Sequence, residues 1–423
     1  MKTLNYFKNI ISDLKIKKIP SSSKIFDWEV PAEWNIKDAY IKNARGKKII
    51  DFKKNNLHLV SYSIPYQGIL SKEELMPHLH TLPSKPNLIP YRTSYYKKDW
   101  GFCCSNKLLK SNDFKGPFKV FIDSSINKKG NLVYGEAYKK GKKKDEILLS
   151  TYCCHPSLAN DNLSGLITAI LLFEYIKNFS TQFSYRLVIA PETIGALCFL
   201  KKNKNINKIL AGTIFSCTAG PDKLSIKEAY DNTHWINKIS HLVLKKFTKN
   251  NYIIYPFSPE GSDERQYASP GFRIPTPSLH KSKYYEYDQY HTSGDNLNFI
   301  SASNLNKTLN LYKEWFRAVD SFCYPKRKEM KGEFMLGKRN LYPGLGGSLN
   351  QKTNIRKKKQ LNKNSILYGK TIITKNHLVG FNWLMHMSDG KNSNLDISKR
   401  SNLSLSLINE CIKIFHEKGL ITT

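Results

Sequence analysis

From residue 147 to residue 217 the chain alternates apolar runs of strand length with segments of helical period, and this limits the fold more than any other feature. Ile147-Leu148-Leu149-Ser150-Thr151 reads as a buried strand. Leu166, Ile167, Ile170, Leu171, Phe173 and Ile176 then recur at helical spacing, predicting a helix from Ser164 to Phe179. Arg186–Ala190 is the next strand, Ile194–Lys201 a short helix and Ala211–Cys217 a further strand; a helix over Leu305–Phe322 closes the pattern. Strands separated by helices are joined by crossovers, so the expected architecture is α/β with a parallel or mixed sheet flanked by helices.

The flanking sequence differs in kind. A chain of 423 residues suggests two or three domains. The first 40 residues read as a short amphipathic start followed by the turn-prone Pro20-Ser21-Ser22-Ser23. Residues 41–130 carry an extended run at Leu57–Tyr62, a helical patch near Lys72–Leu79, and repeated prolines (Pro65, Pro77, Pro83, Pro86, Pro90). That punctuation predicts a small, mostly β module with long loops, set into an α/β domain of residues 1–40 and 131–344. A basic, glycine-bearing stretch follows, and 345–365 is the expected linker. Residues 366–423 read as a strand-like start (Lys370–Thr374), then helices at Leu378–Met387, Leu395–Arg400 and Ser404–Lys418, with Gly419 as a stop. Two helices across a tight turn predict a winged helix-turn-helix.

Composition excludes several classes. Hydrophobic residues at 40% and aromatics at 12% rule out wholesale disorder. No run of about 18 apolar residues is present, so no membrane-spanning helix is expected. The N-terminus has no signal-type apolar stretch, and a cytoplasmic protein is the expectation. The formal charge of +33 would suit a polyanion binder, but only ten of the 67 basic residues are Arg. Lysines scattered among Asn and Ile are what an AT-rich genome produces on solvated faces, and no Arg-dense reading surface exists. The eight cysteines include the pairs Cys103-Cys104 and Cys153-Cys154 but no CxxC spacing, so free buried thiols are expected.

Reactive groups in an open α/β sheet collect beyond the carboxyl ends of its strands. The first predicted strand runs into His155 and, six residues on, Asp161, on a loop entering a helix. The second ends at Glu192, and His291 lies on a later loop. Each is ordinary alone. Together they match the two imidazoles and a carboxylate that hold a catalytic zinc and leave a position open for water, with Glu192 as a further carboxylate.

These residues sit in runs that resemble the M28-type zinc aminopeptidases. His155 with Asp161-Asn162-Leu163-Ser164-Gly165 looks like their His and Asp-x-x-Ser-Gly elements, Glu192 with Gly195 like their Glu-Glu-x-Gly, and His291-Thr292-Ser293-Gly294-Asp295 like their His-Thr-x-x-Asp. Gly261-Ser262-Asp263-Glu264-Arg265 lies where that family often has Ser-Asp-His. A closer resemblance, over nearly the whole chain, is to bacterial DUF4910 aminopeptidase-like proteins with an inserted DUF2172 module and a C-terminal winged helix. It rests on Val30-Pro31-Ala32-Glu33-Trp34, Pro90-Tyr91-Arg92-Thr93-Ser94-Tyr95-Tyr96, Trp100-Gly101-Phe102-Cys103, the run from Gly337 to Pro343, and Ser388-Asp389-Gly390.

The resemblance implies a zinc-aminopeptidase-like (phosphorylase/hydrolase-like) mixed sheet and a hydrolase acting on a peptide or an amide-bearing small molecule. Asp161 matches the family's bridging carboxylate and Glu192 its general base. The carboxylates that complete a two-ion site fall at Thr193 and at Ser216 or Cys217, so one zinc on His155, Asp161 and His291 is expected, with Cys217 as a possible extra ligand. Asp263 and Glu264 are candidates for binding a free amine or for structural pairing with Arg265. Tyr290, with Tyr284, Tyr285 and Tyr287, either lines a specificity wall or packs a loop. Two alternatives keep the same scaffold: an amide of a surface-polysaccharide precursor as substrate, or a degenerate hydrolase with an assembly role. The last helix, Ser404–Lys418, balances Lys413 and Lys418 against Glu410 and Glu417, so sequence-specific DNA is not expected as a partner. Protein contact, with its own catalytic domain or in a homo-oligomer, is the expected use.

Overall fold

The computed structural model describes residues 2–342, 366–368 and 371–423, so the expected linker at 345–365 lies outside the described residues. The chain forms two compact units, Met1–Phe316 and Arg317–Thr423.

In chain order the principal strands of the first unit are β1 (Lys15–Pro20), β2 (Glu33–Lys42), β3 (Lys48–Asp51), β4 (Tyr66–Leu70), β5 (Phe118–Asn127) and β6 (Asn131–Lys139). They continue as β7 (Glu146–Tyr152), β8 (Ser184–Ala190), β9 (Ile209–Phe215), β10 (Leu224–Lys227), β11 (Ile253–Tyr255) and β12 (Ser278–Lys281). Eight of them form one mixed sheet in the order β1-β6-β8-β7-β9-β12-β10-β11. Its centre is parallel: β7 pairs with both β8 and β9, and β9 with β12, so the carboxyl ends of all four strands open on one edge. Every residue of β7 and β8 is buried, as expected of strands covered on both faces.

The longer helices are α1 (Lys2–Lys8), α2 (Gly165–Lys177), α3 (Ile194–Lys202), α4 (Trp235–Thr248) and α5 (Ala302–Asp320), the last running through the division between the two units. Ala196, Leu197, Phe199 and Leu200 of α3 share a core with Leu148, Val188 and Ile214 of the sheet. Helix α2 buries Leu166, Ala169, Ile170 and Phe173 and packs on β7, β8 and β9. One charged group crosses the sheet within its layer. Arg186 on β8 holds Glu146 of β7 through Nε (2.6 Å) and NH2 (2.9 Å), and also pairs with Glu136 of β6.

A second, antiparallel sheet has the order β3-β2-β5-β4. Its core unites Ala39, Ile41, Ile50, Val120 and Ile122 with Leu59, Trp100 and Phe102 from the loops. The sheet takes in residues from Glu33, ahead of the expected boundary at 41, because β2 pairs with β5 along its whole length. The extended run at Leu57–Tyr62 is only partly extended. The Asn55 side chain accepts from the Leu57 amide and bends Asn56–His58 into a tight turn, leaving single bridges at Leu59 and Ser61. Strand β1 escaped the sequence reading altogether. Its Lys15-Ile16-Lys17-Lys18 start lacks an apolar run because it is an edge strand, where lysines discourage further pairing.

The second unit contains a hairpin (Ile366–Tyr368 with Thr371–Ile373) and helices α6 (Lys375–Met387), α7 (Asn394–Ser401) and α8 (Leu405–Glu417). Phe381, Leu384, Ile397, Ile408 and Phe415 form its centre. Helix α6 starts earlier than periodicity suggests because Thr374 and His377 form a reciprocal cap. Gly419, the expected stop, has φ of +68°. The arrangement is a winged helix domain. No helix among the described residues is long and apolar enough to cross a membrane.

Candidate metal centre

The loops leaving the carboxyl ends of β7, β8 and β9, and the loop at 291, meet at one place. The run from Asp161 to Gly165 shows why. Asn162 donates through Nδ2 to Thr151 Oγ1 (3.1 Å), the Tyr152 carbonyl (3.2 Å) and the Phe215 carbonyl (3.1 Å), tying the ends of β7 and β9 together. Ser164 Oγ accepts the Thr218 amide at 2.8 Å. A Cβ at Gly165 would stand 2.5 Å from the Phe215 carbonyl oxygen, so only glycine fits there. The loops are strained to match: Ser157, Thr193, Cys217, Ser282 and His291 all have φ between +52° and +66°. Non-glycine residues hold such angles only where surrounding contacts enforce them, often at functional sites.

His155, Asp161 and His291 come together, with one possible ligand atom of each within 4.8 Å of the others. Asp161 Oδ2 lies 3.0 Å from His291 Nε2. That nitrogen is buried and has no hydrogen-bond partner among the described residues. Two imidazoles converging with a carboxylate are donors of zinc type. Burial lowers the His155 pKa, favouring the neutral ring a metal requires. Burial alone would raise the Asp161 carboxyl, but His155, His291 and the Tyr152 hydroxyl hold it below the usual range.

Glu192 stands at the rim, its Oε2 3.7 Å from His155 Nε2. Burial raises its pKa well above the ordinary carboxyl value, and the nearby Asp263 and Asp161 charges add to the effect. Asp263 is buried and pushed up to about 7 by burial; its Oδ1 accepts the Thr193 amide at 2.6 Å. Glu264 is ion-paired with Lys227, and its Oε1 accepts from the Tyr284 hydroxyl at 2.7 Å. Arg265, one expected partner of the two acids, instead donates to Thr193 Oγ1 at 3.0 Å. Tyr290 stacks on the His291 ring at 4.0 Å. Cys217 is wholly buried, clusters with Tyr284 and Tyr287, and belongs to neither group of side chains able to hold a metal.

Four further residues support the site in roles the sequence reading did not give them, although Asp295 stood there as the end of the His-Thr-x-x-Asp run. Asp295 accepts the Asn160 amide on Oδ1 (2.6 Å) and the Asp161 amide on Oδ2 (3.0 Å), fixing the carboxylate loop to the His291 loop. Tyr152 donates to Asp161 Oδ1 at 2.6 Å. Tyr91 sets its ring edgewise against both His155 and His291, each at 5.2 Å, and its amide donates to the His291 carbonyl at 2.8 Å. Cys154, expected to be an inert thiol, accepts the Glu192 amide at 3.2 Å and forms a second group with His155 and Glu192. Its place beside His155 was the only signal available.

Comparison with known proteins follows the same lines. Residues 1–321 match the family model described as "Domain of unknown function (DUF4910)", and residues 387–422 one described as "Winged helix-turn-helix DNA-binding". A Clostridium acetobutylicum protein is 38% identical over 96% of this chain and 88% of its own length; it is named as a candidate polysaccharide biosynthesis protein with an aminopeptidase-like domain. The crystal structure of a candidate peptidase from C. acetobutylicum superposes with a TM-score of 0.84 at 36% identity, covering 100% of this chain and 90% of that one. The zinc aminopeptidase of Bacillus subtilis shares the fold at a TM-score of 0.54 and 11% identity, over 74% of this chain and 87% of that one. An M28 peptidase from Shewanella amazonensis does so at 0.51 and 11%, over 75% and 86%. With three quarters of its length under one family model and a full-length relative at more than 30% identity, this chain belongs to the DUF4910 family, on an aminopeptidase-like fold, with a winged helix at its C-terminus.

Proposed function

We propose that the protein is a zinc-dependent hydrolase of aminopeptidase type that cleaves an amide bond. The observation that carries this reading is the convergence of His155, Asp161 and His291, with Glu192 beside them. One zinc ion held by those three residues would supply a Lewis acid for the carbonyl and an acidified water. Glu192 receives the proton of the attacking water on its carboxylate and delivers it to the leaving amine. Its raised pKa suits a group that must hold a proton between the two steps. Tyr91 and Tyr290 wall the imidazoles and restrict water. Asp263 holds the backbone next to Glu192 through the Thr193 amide. In this reading the sheet of β2 to β5 is an insert roofing the hydrolase domain.

The name of the C. acetobutylicum relative favours a second reading, in which the amide belongs to a surface-polysaccharide precursor. Both are tested together. Purified protein is analysed for metal and assayed on aminoacyl arylamides, short peptides and N-acylated amino sugars, with Glu192→Gln as control. Glu192-dependent cleavage of any class supports a hydrolase and identifies its substrate. Bound zinc with no Glu192-dependent turnover of any of them would favour a degenerate scaffold.

A further inference from the structure

We propose that Tyr152 sets the metal count of this centre at one, its hydroxyl occupying the oxygen of Asp161 that a second ion would need. The inference rests on the metal reading above and deepens it. Two ions sharing a carboxylate lie about 3.5–4 Å apart, and each takes one of its oxygens. At Asp161 the two oxygens are already differentiated. Oδ2 faces His291 Nε2 at 3.0 Å, whereas Oδ1 accepts the Tyr152 hydroxyl at 2.6 Å.

The phenol also lies 3.1 Å from Ser216 Oγ. It has a single proton, and an ionised carboxylate can only accept. The Tyr152 proton therefore goes to Asp161 Oδ1 at the shorter distance, and Ser216 Oγ stands as a second, longer acceptor beside it. Neither can swing aside: Tyr152 is 2% exposed and Ser216 not at all. The surrounding groups are committed as well. His280 bonds the Ser216 carbonyl through Nδ1 (2.7 Å) and Ser278 Oγ through Nε2 (2.8 Å). Thr193 Oγ1 takes the Arg265 guanidinium. An ion beside Oδ1 would have to displace a buried phenol and would meet neutral oxygens, a poor exchange for a divalent cation. Tyr152 is thus a positioning residue, keeping Asp161 as a one-oxygen ligand turned toward His155 and His291.

The test counts metal by elemental analysis on full-length protein equilibrated with excess zinc and then freed of loose ions. Wild type is expected to hold one equivalent. Tyr152→Phe keeps the ring and should also hold one, with zinc affinity lower by about 10- to 100-fold, the usual cost of losing a group that orients a ligand. Ser216→Asp with Tyr152 in place should still hold one equivalent. The same change combined with Tyr152→Phe supplies a free oxygen beside the new anion and should take up a second. Zinc should then raise the double variant's melting temperature more than the wild type's. A second equivalent in Ser216→Asp alone, or no second one in the double variant, would overturn the role of Tyr152. Two equivalents in wild type would overturn the role of Tyr152 and leave the hydrolase reading standing. Unchanged zinc affinity in Tyr152→Phe would also overturn it, without needing the double variant to fold. No bound metal in wild type would instead remove the metal reading itself.

Discussion

His155, Asp161, Glu192 and His291 were legible because each sits where an α/β sheet delivers reactive groups. The supporting roles were not, since Tyr152, Tyr91 and Asp295 (the last already visible as a motif residue) act through partners brought close by folding. Glu192→Gln should lower any hydrolytic rate by about 10²–10⁴ while leaving zinc content unchanged, checked by steady-state rates beside metal analysis. Asp263 makes a separate prediction about pH. Its pKa rises from 3.8 to about 7 through burial, so between those values the folded protein keeps a proton that the unfolded chain has released. Stability must then fall as pH rises through that window. Asp263→Asn retains an acceptor for the Thr193 amide and abolishes the titration. Its melting temperature relative to wild type should climb between pH 4 and pH 8 and level off above; a difference independent of pH would exclude this origin.

Among the elements, the central strands were readable because burial on both faces demands unbroken apolar runs. The edge was not, because β1 is mostly lysine where it meets solvent. The layer of β6, β8 and β7 makes its own prediction. Arg186 is the shared partner of Glu136 and Glu146, and its removal strands two carboxylates within the sheet. Arg186→Ala should cost about 3–5 kcal/mol in urea unfolding, the range for breaking a buried ion pair from one side. Asp295→Ala acts at the loops instead. Without its two amide bonds the carboxylate and imidazole loops lose their tie, and zinc affinity should fall by about 10- to 100-fold with little change in the sheet's stability, measured by metal competition and unfolding in parallel.

At the scale of the molecule, the charge of +33 and a winged helix with a DNA-binding description invite a nucleic-acid role. The helix that would read a groove argues against it. Lys413 lies 3.9 Å from Glu417, Lys418 sits over the Tyr368 ring, and Glu410 is bonded to His377, so few charges are free for phosphate. Full-length protein should show no preference for any duplex over scrambled DNA at physiological salt in a competition assay; selective retention of one sequence from a random pool would refute this. The tie between Tyr91 and His291 has a consequence for how the molecule is made. The Tyr91 amide donates to the His291 carbonyl, the Ile89 amide donates to Ser293 Oγ, and the Ser293 amide donates to the Ile89 carbonyl. During synthesis the first half of this joint emerges some two hundred residues before the second, so the loop at Ile89–Tyr91 lacks these bonds until the later loop arrives. Uptake of the proposed zinc would then be a late event, and its kinetics in a refolding experiment would time the meeting of the two loops.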